Sequence, residues 1–77
     1  MPKLGPISGR DLIKILQKFG FEVSGRKSND HICMRKRGCL RPLVIPDWKS
    51  LPEFVIRNNI NSAGITKEQY FKLRSQI

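Results

Sequence analysis

One histidine occurs in these 77 residues, and it stands beside the densest group of cations in the chain. His31 follows Arg26 and Lys27 and precedes Arg35, Arg37 and Arg41. An imidazole exchanges a proton near neutrality, which suits a general acid or base. Guanidinium and ammonium groups hold phosphate oxygens through charge-assisted hydrogen bonds about twice as strong as neutral ones. In RNA a base can deprotonate the 2′-hydroxyl, which then attacks the adjacent phosphate while nearby cations stabilise the developing charge. That chemistry needs no metal and no cofactor. The same cations without a working histidine make a basic module that binds RNA and leaves it intact. A solvated charged strand, on a protein with no RNA role, is the blandest alternative.

Other chemistries find less support. Asp30 is the one carboxylate close to His31 in sequence, either as a turn residue or as a partner orienting the imidazole. Cys33 and His31 share a face of a strand, yet nothing marks a substrate pocket for a thiolate nucleophile. There are no paired carboxylates, no glycine-rich phosphate loop and no cluster with metal-ligand spacing. Trp48 and Phe54 are read as anchors for a following helix, or Trp48 as a platform for a base.

Charge supports the polyanion reading. Fifteen Lys and Arg against six Asp and Glu give +9, a self-repelling balance that nucleic acid would relieve. The cations do not lie along one amphipathic helix, so a membrane surface fits poorly. No apolar run approaches the roughly 20 residues that span a bilayer, and the opening Met1-Pro2-Lys3-Leu4-Gly5-Pro6 has no apolar secretory core. A cytoplasmic protein is expected, with Cys33 and Cys39 as free thiols.

The elements that must position His31 follow from spacing. Ser8 with Asp11 caps a helix running to Phe19, whose apolar stripe is Leu12, Ile13, Ile15, Leu16 and Phe19. Its polar side carries Lys14, a further candidate for phosphate. Phe21–Ser24 alternates as a first strand, residues 25–30 read as a polar turn, and a second strand runs from His31 to Arg37. On that strand Ile32 and Met34 point to the core, and His31, Cys33, Arg35 and Arg37 to the other face. Gly38 turns the chain into a third strand, Leu40–Ile45, where Pro42 demands an edge or a bulge. After a connector over 46–52, Ile56, Ile60 and Ala63 mark a second helix stopped by Gly64. Thr66 with Gln69 opens a short terminal helix carrying Tyr70, Phe71 and Leu73. The expectation is one α+β domain over residues 1–77, ordered α-β-β-β-α with a short extra helix. Its three-stranded antiparallel sheet has helices on one face.

In this order the residues resemble a known family. Pro2-Lys3-Leu4-Gly5-Pro6-Ile7-Ser8-Gly9-Arg10-Asp11-Leu12-Ile13-Lys14, Gly20-Phe21-Glu22-Val23, Val44-Ile45-Pro46-Asp47 and Ser62-Ala63-Gly64-Ile65-Thr66 are similar to the HicA toxins. The resemblance implies a fold like double-stranded-RNA-binding domains and mRNA endonuclease activity. It also implies a HicB-like antitoxin that masks the active site. The family's catalytic histidine follows Gly-Ser at the start of the second strand, whereas here the segment is Lys27-Ser28-Asn29-Asp30-His31-Ile32. An ungapped match sets Asp30 at that position. A one-residue adjustment sets His31 there, and only then do Ile32 and Met34 fall into the family's apolar phase. Phe54-Val55 stands where relatives carry Gly-Thr.

Overall fold

A computed structural model describes residues 4–38 and 41–77. Helix α1 (Gly9–Lys18) leads to strands β1 (Glu22–Ser28), β2 (His31–Arg35) and β3 (Leu43–Pro46), then to helices α2 (Glu53–Ala63) and α3 (Lys67–Arg74). The strands form one antiparallel sheet in the order β1-β2-β3, with β2 in the centre. This is the α+β arrangement expected, with one sheet face open.

The first helix forms as its sequence dictates. The Ser8 hydroxyl accepts from the Asp11 amide at 3.1 Å, and Leu12, Ile13, Ile15 and Leu16 are buried along one stripe. Gly9 is required at its start. A Cβ there would collide with the Pro46 carbonyl oxygen, and the Gly9 amide donates to the Trp48 carbonyl at 2.8 Å. The helix therefore abuts the end of β3 with no room for a side chain. Helix α2 begins at Glu53 after Pro52 without a side-chain cap, and Gly64 ends it in the left-handed conformation at φ 76°. Helix α3 opens on a complete capping box, Thr66 and Gln69 bonding reciprocally at 3.0 and 3.1 Å.

The core joins the α1 stripe to Ile32 and Met34 of β2, Leu43 and Ile45 of β3, Ile56 and Ile60 of α2, and Tyr70 of α3. Burying each Leu, Ile or Met side chain is worth about 1.5–3 kcal/mol. The Tyr70 hydroxyl donates to the Leu4 carbonyl, which also accepts from Arg74 Nη1 at 3.2 Å.

Three boundaries differ from the sequence reading. β1 does not stop at Ser24 but continues through Gly25, Arg26 and Lys27 to Ser28. It does so with irregularities between Val23 and Gly25 and between Arg26 and Ser28. β2 ends at Arg35, so Arg37 lies in the turn before Gly38. β3 starts at Leu43, leaving Pro42 outside it, because a residue with no N–H and a fixed φ is better placed before a ladder than within one. The expected start of that strand at Leu40 lies outside the described residues, as does Cys39.

Candidate functional site

Directly paired residues in an antiparallel sheet share a face, so the register assigns the open side. Ser28, His31 and Pro46 form one row across it, Gly25, Cys33 and Val44 the next, and Glu22 with Arg35 a third. Ile32 and Met34 are buried on the opposite side, at 8% and 0% exposure. His31 and Cys33 are half-buried and Arg35 is exposed, and Cys33 is a free thiol.

His31 is held at the start of β2 by a tight hairpin. Ser28 and His31 pair across the turn residues Asn29 and Asp30, and the Ser28 hydroxyl bonds His31 Nδ1 at 2.9 Å. With the proton on Nδ1 the imidazole donates to Ser28 and presents a basic Nε2; in the other tautomer the hydroxyl donates to Nδ1. Among the described residues no protein group hydrogen-bonds Nε2. The Trp48 indole and the imidazole meet edge to face, with ring centroids 6.5 Å apart at 69°.

The hairpin end is itself braced from the covered side. Arg26 Nη1 donates to the Asn29 carbonyl at 2.9 Å, and the Asp47 amide donates to the Asp30 carbonyl at 2.7 Å. The Asp47 carboxylate meets Arg10 Nε at 3.4 Å and Arg26 Nη2 at 3.8 Å. Both guanidinium groups are more than half exposed, so each ion pair contributes at most about 1 kcal/mol. The backbone bonds and the abutment at Gly9 fix the loop more firmly.

Of the expected cations the structure sets one, Arg41, in the groove of His31 and spreads the others along the sheet and its turns. Arg41 lines the same groove as His31, and Arg35 shares its sheet face. Lys27 sits in the irregularity beside the hairpin turn, and Arg37 in the turn beyond β2. Arg26 pairs with Ile32 and so belongs to the covered side, where Asp47 engages it. This departs from the expected approach from a turn, because the strand irregularity at Ser24 shifts the alternation. Lys14 lies on the exposed side of α1, with the helix and the sheet between it and His31. Asp30 is exposed in the turn and makes no side-chain bond to the imidazole.

Several neighbours escape a reading of sequence alone. Ser28, rather than Asp30, contacts the imidazole, a role visible only once the turn is known to hold two residues. Trp48 and Phe54 are 44% and 60% exposed, so neither serves as the expected buried anchor of α2. Lys36 spreads over the Phe19 and Phe21 rings, with Nζ 4.2 and 5.9 Å from their centroids, and closes one end of the core. A cavity of about 470 Å³ joins His31 and Arg41 to Val55, Asn58, Asn59 and Ser62 of α2. Among the described residues no three His, Cys, Asp or Glu side chains converge as metal ligands would.

A family model described as the HicA toxin of bacterial toxin-antitoxin matches residues 9–65, from the first residue of α1 to just beyond α2. The chain belongs to the HicA toxin family. The matched span carries all three strands, His31 and the α2 wall of its groove, while α3 lies beyond it. No individual curated protein matches the sequence. This HicA chain is thus a toxin of a toxin–antitoxin system. The Phe54-Val55 departure falls in the first turn of α2, which forms from Glu53 with both residues in it. Among the described residues no helix is long and apolar enough to cross a membrane.

Proposed function

We propose that this toxin is an mRNA endonuclease in which His31 is the general acid–base group, and that a HicB-like antitoxin neutralises it. The observation that carries the reading is the placement of the imidazole. It is half-buried on the open sheet face, anchored through Nδ1 by Ser28, and shares its groove with Arg41. Burial of Ile32 and Met34 favours His31 over Asp30 for the role, because it fixes the strand phase that points the imidazole outward. In the reaction, Nε2 takes the proton of a ribose 2′-hydroxyl. The 2′-oxygen forms a bond to the adjacent phosphorus as the bond to the 5′-oxygen breaks. The departing 5′-oxygen takes up a proton from solvent water, the imidazolium later returns its own to solvent, and the products are a 2′,3′-cyclic phosphate and a 5′-hydroxyl. Arg41 holds the phosphate and stabilises its developing charge, with Arg35, Arg37 and Lys27 extending the cationic track. Arg26 contributes through the hairpin it braces, and Lys14 only to the general field.

Cleavage of a short single-stranded RNA in EDTA tests the reading. Because the nucleophile is the substrate's own hydroxyl, cutting should persist in chelator and vanish when the ribose at the cut carries 2′-deoxy. Binding without cutting would make the protein a basic RNA-binding module instead.

A further inference from the structure

We propose that the groove between β3 and α2 seats an unpaired nucleobase of the substrate beside His31, and that Asn58, Asn59 and Ser62 read its edge. The inference rests on the ribonuclease reading above and adds a recognition site to it. The groove is an open surface cleft of about 470 Å³, a size within the roughly 300–1,000 Å³ common for small-ligand sites.

Helix α2 carries two adjacent stripes of different chemistry. Ile56, Ile60 and Ala63 are buried in the core. Beside them Val55, Asn59 and Ser62 recur at helical spacing and, with Asn58, wall the groove. None of these four is charged, in a chain of net charge +9. The exposed sides of the other two helices carry Arg10, Lys14 and Lys18, and Lys67 and Lys72. The charges of α2, Glu53 and Arg57, pair with each other at 3.9 Å and do not line the groove. Asn and Ser are poorer helix formers than Ala, Lys or Glu, so this stripe weakens α2, and it does not cap the helix. Val55 packs against the core, but neither core packing nor phosphate attraction accounts for Asn58, Asn59 and Ser62. Hydrogen bonding to a neutral, flat ligand does.

The details suit a base. Asn59 Nδ2 donates to the Val55 carbonyl at 2.9 Å, which fixes the amide and leaves Oδ1 as a preset acceptor for an exocyclic amino group. Asn58 and Ser62, four residues apart and both exposed, offer further donors and acceptors to the same edge. Val44, Pro46 and Val55 give an apolar surface for the face of the ring. Arg41, in the same groove, can take the attached phosphate. Sequence-specific RNA recognition ordinarily targets such splayed single-stranded bases, and side-chain amides and hydroxyls are among the groups that read base edges.

The test compares His31→Ala with His31→Ala/Asn58→Ala/Ser62→Ala by fluorescence anisotropy against oligo(A), oligo(C) and oligo(U). The same Asn58→Ala/Ser62→Ala change on a wild-type His31 background is tested in cleavage of RNAs differing only at the base beside the cut. The inference expects the parent to favour its best base over its poorest by about 5- to 150-fold, with that ratio collapsing towards one in the variant. If the variant melts early, the single Asn58→Ala change carries the same comparison. Equal affinities for all three oligonucleotides in the parent, or an unchanged ratio in the variant, overturns the base site. Absence of cleavage with intact base discrimination leaves the base site standing and removes the ribonuclease reading. Cleavage with discrimination that ignores Asn58 and Ser62 does the reverse.

Discussion

The two faces of β2 are built from alternate residues of one five-residue strand, and they obey different rules. On the covered side Ile32 and Met34 are sealed against α1 and the neighbouring strands, at 8% and 0% exposure. On the open side His31 and Cys33 are half-buried and Arg35 faces solvent. The same backbone bonds hold both sets. The pleat thus converts packing on one side into positional precision on the other, and mutations on the two sides should affect different observables.

The largest expected effect tests that separation directly. His31→Ala should lower RNA cleavage by about 10²–10⁴-fold, the usual contribution of a general acid–base group, with little change in melting temperature. Met34→Ala should do the opposite, destabilising the fold by about 2–5 kcal/mol while cleavage per folded molecule survives. Thermal melting and initial rates on both variants measure the contrast. A large stability loss in His31→Ala, or normal stability in Met34→Ala, breaks it.

A smaller effect sharpens the open side. Ser28 anchors Nδ1 without touching substrate in the proposed reaction, so it is a positioning residue. Ser28→Ala removes one hydrogen bond of about 0.5–1.5 kcal/mol, and should slow cleavage roughly 2- to 10-fold. Ser28→Thr should restore the rate. Asp30→Ala serves as the control and should leave the rate unchanged. If Asp30→Ala abolishes cleavage while His31→Ala does not, the histidine assignment is wrong.

The smallest effect belongs to the covered side. Burial raises the Tyr70 phenol above its ordinary value of 10.0, with the Arg74 charge partly opposing. The folded protein keeps this proton to higher pH than the unfolded chain does. Tyr70 therefore contributes stability that is fully present below about pH 10 and is lost as pH rises through the folded value. Melting temperatures across about pH 9–11 should fall less steeply in Tyr70→Phe than in the wild type. Equal slopes would show that another group governs the alkaline limit.

Much of this was legible in the sequence where local chemistry and tertiary packing agree. Ser8 with Asp11, the stripe from Leu12 to Leu16, and Thr66 with Gln69 each name an element that forms as written. The phase of β2 was legible because Ile32 and Met34 are its only aliphatic positions. β1 was not, since all seven of its residues are exposed. Gly25, Arg26 and Lys27 carry no alternation and two irregularities reset the count, which is also why Arg26 changes sides. The groove was invisible for a different reason. Its walls come from β3 and α2, and nothing local in Asn58, Asn59 or Ser62 says which strand they will meet.

The bond from Tyr70 to Leu4 spans 66 residues, and it gives the fold an order in time. During synthesis the Leu4 carbonyl is exposed long before its partner exists. At typical elongation rates of about 5–20 residues per second, it waits about 3–13 seconds for Tyr70 to be made. Throughout that interval α1 has no α3 to pack against, and the sheet lacks α2 for most of it. A nascent chain on its own ribosome is therefore an incomplete fold with an uncovered apolar stripe, and the His31 groove has no second wall until α2 arrives. The long closure places the docking of α3 last in the order of assembly, after α2 has already walled the groove.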